Sequence, residues 1–275
     1  MYNDEDEFDD GDFIFNEYTI DDSLDSLSRL EKYFNSDFSL QRLVLVRDIF
    51  DTAREAGHEE ASQRLLPLLT HFVSDTEPVV RQVFADQLHQ LALFFLYNKN
   101  LDTLQKKQPS TRLPQHSPIL NVDESANEKE HSSLHEDDPY GELQRDETRM
   151  DDNGYNELIN TFIPYAFELI IDKSAEVGQS ATEALNKIAQ HIKADHIDPQ
   201  LLSVIVNLAH DERVEEYRIA AAKLFNELAP VFGRDLCTNV VVQEIISLSE
   251  DPSLLVRKTV AQNLGNICLE IGVEE

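Results

Sequence analysis

Few residues of this chain have the types and spacing that catalysis or metal binding requires. His131 and His135 stand four residues apart, which would place both imidazoles on one helical face for a metal ion, but their segment has too few apolar residues to predict a helix. Cys237 and Cys268 lie in apolar helical patterns without zinc-ligand spacing. The sequence has no glycine-rich phosphate loop, His-Glu-x-x-His pair or nucleophile elbow. We therefore expect a non-enzymatic protein with no cofactor and no metal.

A recurring aspartate–arginine spacing is more informative than these residues. The stretch EDPSLLVRKTV (250–260) places an Asp six residues before an Arg, and SDTEPVVRQVF (74–84) repeats that spacing. Two further turns keep the Asp but have another residue at the arginine position, and a poorer first copy has the arginine but a serine (Ser36) at the aspartate position. The positions are Asp75 with Arg81, Asp172 with Gly178, Asp211 with Tyr217, Asp251 with Arg257, and Arg42 for the first copy.

The intervals between the arginine positions define a repeat. They are 39, 97, 39 and 40 residues, and 97 less one 39-residue period leaves 58, nearly the length of the polar segment 98–156. Apolar residues between the turns recur at three- and four-residue spacing, with no β-type alternation. The sequence predicts an all-α fold: an α-solenoid of five helix pairs of about 39 residues, interrupted once. The predicted domains are a tail 1–22, repeats one and two at 23–97, an insertion 98–156, and repeats three to five at 157–275.

The predicted helices follow from these breaks. The first helices of the pairs are expected at 24–34, 61–73, 157–171, 199–209 and 236–249, and the second at 39–56, 77–96, 175–192, 213–231 and 252–271. In each turn the aspartate is expected to accept hydrogen bonds from the free N–H groups that begin the second helix. We expect Pro252 in the first helical turn, where its missing N–H costs nothing. Arg257 is expected to reach back to Asp211 and so set the register between repeats.

Charge excludes several classes of partner. The net charge is −30, from 53 acidic and 23 basic residues, which argues against nucleic acid and anionic membranes. Residues 1–22 contain ten acids and no Lys or Arg, so we expect a disordered tail, and the insertion is expected to be disordered too. Within the insertion Ser117 precedes a proline, and Ser125 and Ser133 have an acid three positions on, which makes all three candidate phosphorylation sites. The acidic N-terminus and the two cysteines favour a cytoplasmic location, with a nuclear one also open.

The turn residues and the pattern around them resemble HEAT repeats, with Asp at the turn, Pro beside it and Val-Arg opening the second helix. The stretches LSRLEKYFNSDFSLQRLVLVRDIFDTAREAG (27–57) and FIPYAFELIIDKSAEVGQSATEAL (162–185) further resemble the regulatory subunit 1 family of protein phosphatase 4. The resemblance implies a non-catalytic scaffold that binds a phosphatase catalytic subunit and phosphoprotein substrates. Another HEAT adaptor, such as a nuclear transport receptor or a phosphatase 2A-type scaffold, remains the alternative. Apolar residues at the last helix (Val260, Leu264, Ile267) predict that something packs against this end.

Overall fold

The computed structural model describes residues 19–105 and 150–272, with side chains described for 19–97 and 150–272. Every regular element in these two ranges is helical, which confirms the all-α prediction. None of their helices is long and apolar enough to cross a bilayer. The tail 1–18 and residues 106–149 of the predicted insertion, including Ser117, Ser125, Ser133 and the His131–His135 pair, lie outside the described residues.

The helices form five consecutive pairs. The α-helices are α1 (Ser26–Tyr33), α2 (Ser39–Arg47), α3 (Ile49–Ala56), α4 (His58–Glu60), α5 (Leu69–Val73), α6 (Pro78–Gln105), α7 (Asp152–Glu157), α8 (Ile163–Ile170), α9 (Ala175–Ala189), α10 (Ala194–Ile197), α11 (Ser203–Ala209), α12 (Glu215–Glu227), α13 (Ala229–Leu236), α14 (Val242–Ser249), α15 (Leu254–Gln262) and α16 (Gly265–Ile271). The second helices of the pairs begin at α2, α6, α9, α12 and α15. The first helices of pairs two to five are composite, because each contains a wider turn.

That wider turn is π-helical and recurs with the period of the repeat. It occupies Ala61–Leu65, Leu158–Phe162, Asp198–Leu202 and Cys237–Val241, so successive copies begin 97, 40 and 39 residues apart. Proline follows in two copies, at Pro67 and Pro164, where it lacks the N–H needed for a regular helical bond. The other two copies have no proline at that place. The π-turn therefore follows the repeat position and not one residue type, and the hydrophobic spacing did not predict it.

One hydrophobic core runs from Leu27 to Ile267. Aromatic side chains link its layers: the rings of Phe72 and Phe84 are 6.1 Å apart within the second pair, and those of Phe95 and Phe162 are 5.6 Å apart between the second and third pairs. All four rings are fully buried, and each contributes about 1.5–3 kcal/mol by leaving water. Stacking of neighbouring pairs is therefore what buries the apolar faces, as the solenoid prediction requires.

Three inter-repeat turns use glycine for its conformational freedom. Gly57, Gly233 and Gly272 have φ of 76°, 70° and 73°, with ψ of 167°, 175° and 168°. This region is open almost only to glycine. Gly233 and Gly272 are one 39-residue period apart, and the 176 residues from Gly57 to Gly233 are the interrupted 97-residue interval plus two periods, so the same turn ends the first, fourth and fifth pairs.

Several predicted bounds differ from the structure. Helix α6 continues to Gln105 and α7 begins at Asp152, so helical residues lie at both ends of the predicted insertion 98–156. Pro252 lies before the N-cap Ser253, and α15 begins at Leu254, so the proline is outside the helix and not in its first turn. The second helix of the first pair is broken at Asp48 into α2 and α3.

Candidate functional site at the turn ridge

The turns inside the helix pairs share one backbone device. In three of these turns the aspartate stands two residues before the N-cap and accepts the N–H of that N-cap through Oδ1. The N···O distances are 2.9 Å for Glu77 to Asp75, 2.8 Å for Ser174 to Asp172 and 2.8 Å for Ser253 to Asp251. The bond fixes the direction of the carboxylate, because one oxygen is tied to the backbone of its own turn.

An arginine from the preceding repeat binds each of these three carboxylates through a two-point fork. The arginine is always the fourth residue of its second helix. Its Nε and Nη2 donate to the two carboxylate oxygens at 2.6 and 2.8 Å for Arg42 with Asp75, 2.6 and 2.9 Å for Arg81 with Asp172, and 2.7 and 3.2 Å for Arg218 with Asp251. We call each such pair a rung. Bidentate pairing is the strongest geometry available to an arginine and a carboxylate.

The third arginine nitrogen ties the rung to the arginine's own turn. Nη1 donates to the main-chain oxygen of Ser36, Asp75 and Asp211 at 2.6, 2.6 and 2.8 Å for Arg42, Arg81 and Arg218 respectively. Every rung therefore joins the turn of one repeat to the turn of the next, and three side-chain nitrogens take part.

The rungs are largely shielded from water. The arginine side chains are 10–13% exposed and their aspartates 4–12%. Hydrogen bonds from Arg218 lower the pKa of Asp251. Burial alone would raise the pKa of Asp172, but the hydrogen bonds from Arg81 and the Ser174 N–H outweigh it, and the net pKa is lowered. Both carboxylates are thus held in the charged form by their rungs.

The direction of the ladder differs from the sequence prediction. Arginine pairs with the aspartate of the following repeat, so the predicted pairing of Arg257 with Asp211 is wrong. Arg257 instead donates through Nη1 to the main-chain oxygens of Asp251 and Pro252 at 2.7 and 3.0 Å, and it forms no ion pair within the described residues. Residue spacing alone gives a period but does not say which neighbour a side chain faces.

The fourth repeat does have a ladder arginine, which the fixed six-residue spacing missed. Its turn is one residue longer, because Asp211 stands three residues before the N-cap Val214. The fourth helical residue is therefore Arg218 and not Tyr217. Counting from the helix start would have found Arg218, and it makes the intervals 39, 97, 40 and 39 residues.

The third repeat has no rung. Gly178 occupies the fourth position of α9, and Asp211 accepts only the backbone N–H groups of Arg213 and Val214 among the described residues. A Cβ at position 178 would stand 2.9 Å from the carbonyl oxygen of Ile170, so glycine lets α9 lie close to α8. The Gly178 position predicted as a weak copy is thus an open place in the ladder.

The turns inside the helix pairs, with the first residues of the second helices, form a surface that we call the ridge. It also carries exposed apolar residues at one repeated position. Leu40, Val79 and Leu255 are each the second residue of a second helix, and they are 65%, 47% and 54% exposed. The same position in the third and fourth repeats holds Glu176 and Glu216. Val260 and Ile267, predicted to leave an apolar outer face, are buried in the core of the chain. The exposed large apolar residues described in the last pair are Ile246, Leu254, Leu255 and Leu269.

Two histidines of the described residues are paired with tyrosines. The His191 ring is buried and shares a 2.7 Å hydrogen bond with the Tyr97 hydroxyl, and His196 shares one of 3.0 Å with Tyr155. Cys237 is buried and Cys268 exposed. Within the described ranges no three His, Cys, Asp or Glu side chains are grouped as metal ligands.

The fold and the ladder define an α-solenoid protein built from repeated helix pairs. No protein-family model matches the chain. It is similar to serine/threonine-protein phosphatase 4 regulatory subunit 1 of rat, mouse and human, at 21% identity over 252 residues that cover 90% of this chain. A human putative serine/threonine-protein phosphatase 4 regulatory subunit 1-like protein is 31% identical over 80 residues, 29% of this chain. The chain spans about one fifth of the first three relatives' length, since it covers 21% of each. This similarity confirms the resemblance to phosphatase 4 regulatory subunit 1 that the sequence predicted.

Proposed function

We propose that this chain is a non-catalytic regulatory or scaffolding subunit of a serine/threonine protein phosphatase. It binds a protein phosphatase 4-like catalytic subunit and brings phosphoprotein substrates to it. The observation that carries the proposal is the similarity to phosphatase 4 regulatory subunit 1 across 90% of the chain. The rungs support it physically, because they hold the first three turns, and separately the last two, in a fixed register.

The exposed apolar row on the ridge is the proposed contact for the catalytic subunit. Leu40 and Val79 stand one repeat apart beside two consecutive rungs. Isolated exposed apolar residues are common, but these recur at one repeat position and lie on rigidly held turns. An apolar pair on a rigid ridge loses little conformational entropy when a partner covers it, so it suits an interface centre surrounded by polar residues.

The test is a binding assay with purified catalytic subunits of protein phosphatases 4 and 2A against the immobilised chain. The variants are Leu40→Asp and Val79→Asp, in which the new carboxylate lies in the first turn of a helix, where it favours the helix itself. Ile246→Asp is the control, because Ile246 is similarly exposed at 51% but lies in a first helix, outside the row formed by Leu40, Val79 and Leu255.

We expect the native chain and Ile246→Asp to retain the phosphatase 4 catalytic subunit, and the two ridge variants to lose about tenfold or more in affinity, as for a residue at an interface centre. If the native chain retains neither catalytic subunit, the proposed function is wrong. If all variants bind equally, the ridge is not the contact, although the phosphatase role stands.

A second candidate is an adaptor for basic cargo, such as a nuclear transport receptor of the HEAT type. The net charge of −30 favours it, because an acidic solenoid attracts Lys- and Arg-rich segments. Selective capture of a basic localisation peptide that is lost as salt rises would support this candidate. A cytoplasmic and nuclear location fits both candidates, and imaging of a tagged chain measures it.

A further inference from the structure

The third repeat, which has no rung, still has the acceptors of a rung but lacks the arginine. In the filled rungs Arg42, Arg81 and Arg218 each bridge a carbonyl of their own turn and the carboxylate of the next. At the third repeat the corresponding acceptors are the main-chain oxygen of Asp172 and the carboxylate of Asp211. Position 178 is glycine and supplies no side chain. Asp211 uses Oδ1 for two N–H groups, at 2.9 and 2.7 Å, and its Oδ2 has no donor among the described residues.

A groove lies beside this open place. The second helices α2 and α6, α6 and α9, and α12 and α15 pack directly on one another, whereas α9 and α12 have no comparable packing. The space between them is a cavity of about 600 Å³ that begins at Asp172 and Gly178 and runs along both helices to Asn186 and Glu227. This volume is in the range of clefts that hold ligands. The repeat junction without a rung therefore has a groove between its second helices.

The groove is lined by more acidic than basic side chains. Glu183, Glu216 and Glu227 line its walls, against Lys173 and Lys223. The side-chain oxygen of Asn186 is buried without a hydrogen-bond partner, the one such side-chain atom among the described residues. A buried acceptor without a donor costs about 1–3 kcal/mol. An occupant that brings positive charge and N–H groups, and no further acceptors, is the chemical match.

We propose that the groove between α9 and α12 binds an arginine side chain of a partner polypeptide, which takes the place of the arginine absent at position 178. Its guanidinium forks onto the Asp211 carboxylate and donates to the Asp172 carbonyl, as the chain's own arginines do in the filled rungs. Lysine is a poorer occupant, because the filled rungs use three nitrogens in a plane and an ammonium offers one. This site is independent of the phosphatase proposal.

The position of Asn186 adds a second requirement. It lies eight residues beyond Gly178 on α9, which is roughly 12 Å along the helix at 1.5 Å per residue. An extended polypeptide covers that distance in about four residues, and residues four apart face the same side of an extended chain. The partner segment should therefore carry a second donor four residues from the arginine, facing the oxygen of Asn186.

The probe is the acetylated and amidated peptide Gly-Arg-Gly-Ser-Gly-Arg-Gly, titrated into the full chain labelled with ¹⁵N. Its counterparts carry lysine or the neutral isostere citrulline at both arginine positions. The reporters are the amides of Arg213 and Val214, which donate to Asp211. We expect saturable shifts with the arginine peptide, about tenfold weaker binding with lysine, and none with citrulline.

Two variants make the test specific. Asp211→Asn keeps the oxygen that accepts the turn amides but removes the charge, and it should weaken binding about tenfold. Asp195→Asn removes an equal charge from a site 78% exposed and outside the groove, and it should leave binding unchanged. Arg218→Ala is a positive control. It removes the arginine that binds Asp251, so it should create a second binding site for the arginine peptide, reported by the Ser253 amide.

Equal binding of the arginine and lysine peptides, or equal binding by Asp211→Asn and native chain, would overturn the proposal. A shift of the Ser253 amide in Arg218→Ala without shifts of the Arg213 and Val214 amides would also overturn it, because the site at Asp211 would then be closed to a guanidinium. Absence of any saturable shift in the native chain would overturn it as well. These outcomes do not depend on whether a phosphatase subunit binds the ridge.

Discussion

Removal of Arg218 should weaken the junction between the fourth and fifth repeats far more than removal of Arg257. Both arginines are the fourth residue of a second helix, and both donate Nη1 to a main-chain oxygen of their own turn, at 2.8 and 2.7 Å. Only Arg218 also forks onto a carboxylate, Asp251. The pair of alanine variants therefore isolates the contribution of the rung.

The magnitude follows from the burial of the pair. Breaking a fully buried ion pair costs about 3–5 kcal/mol, whereas an exposed pair contributes about 0–1 kcal/mol. The Arg218 side chain is 12% exposed and that of Asp251 6%, so the rung is nearer the buried limit. We expect Arg218→Ala to lower the free energy of unfolding by about 2–3 kcal/mol and Arg257→Ala by about 0.5–1 kcal/mol.

The assay combines urea unfolding with amide hydrogen exchange. A solenoid need not unfold in one step, so the exchange of α15 and α16 amides localises the loss to the last repeat. The double variant Arg218→Ala/Asp251→Asn should be less destabilised than the sum of its singles, because the stranded carboxylate is gone. If Arg218→Ala costs no more than Arg257→Ala, or the two changes simply add, the rungs do not hold the repeats together.

Three further outcomes are expected. Gly154→Ala should destabilise the chain by about 1–3 kcal/mol in urea unfolding, because the new Cβ would stand within 3 Å of an α6 carbonyl, whereas Gly265→Ala, with open space around it, should change stability little. Iodoacetamide should label Cys268 and spare Cys237, whose thiol pKa is raised by burial to about 11; equal labelling by mass spectrometry would contradict the packing. The pKa of Asp251 is lowered in the folded chain. Its rung therefore contributes its full stability above the unfolded pKa of about 3.9, and that stability is lost as the pH falls through the lowered pKa of the folded chain. Thermal unfolding measures this, and a stability that stays flat from about pH 5 to pH 2 would contradict it.

The period of the fold could be predicted from the sequence because the turn residues have local roles. An aspartate that caps its own turn and an arginine at a set place in the following helix are separated by a nearly fixed number of residues, and the helical hydrophobic pattern fills the space between. The predicted second helices therefore agree with α6, α9, α12 and α15 to within a few residues at their starts.

The direction of the ladder could not be predicted, because it depends on how the repeats rotate on one another. Arg81 lies six residues from Asp75, yet its carboxylate partner is Asp172, 91 residues away. A single added residue in the fourth turn then shifted the arginine position from Tyr217 to Arg218. The π-turns were missed as well, since the search for apolar residues assumed the three- and four-residue spacing of a regular α-helix throughout.

The missing rung at the third repeat is tied to the packing of its own helix pair. An arginine at position 178 would place its Cβ 2.9 Å from the carbonyl oxygen of Ile170, too close for the present approach of α8 and α9, so one of the two helices would have to shift. The structure keeps the close approach, and the acceptors left at the neighbouring turn are Asp211 and the Asp172 carbonyl. The other rungs supply their guanidinium from within the chain and hold adjacent second helices together. At this junction the second helices separate instead, so a guanidinium can reach the same acceptors from outside. Because position 178 is glycine, the acceptors that form a structural rung at the other junctions are open to a partner's arginine at this one.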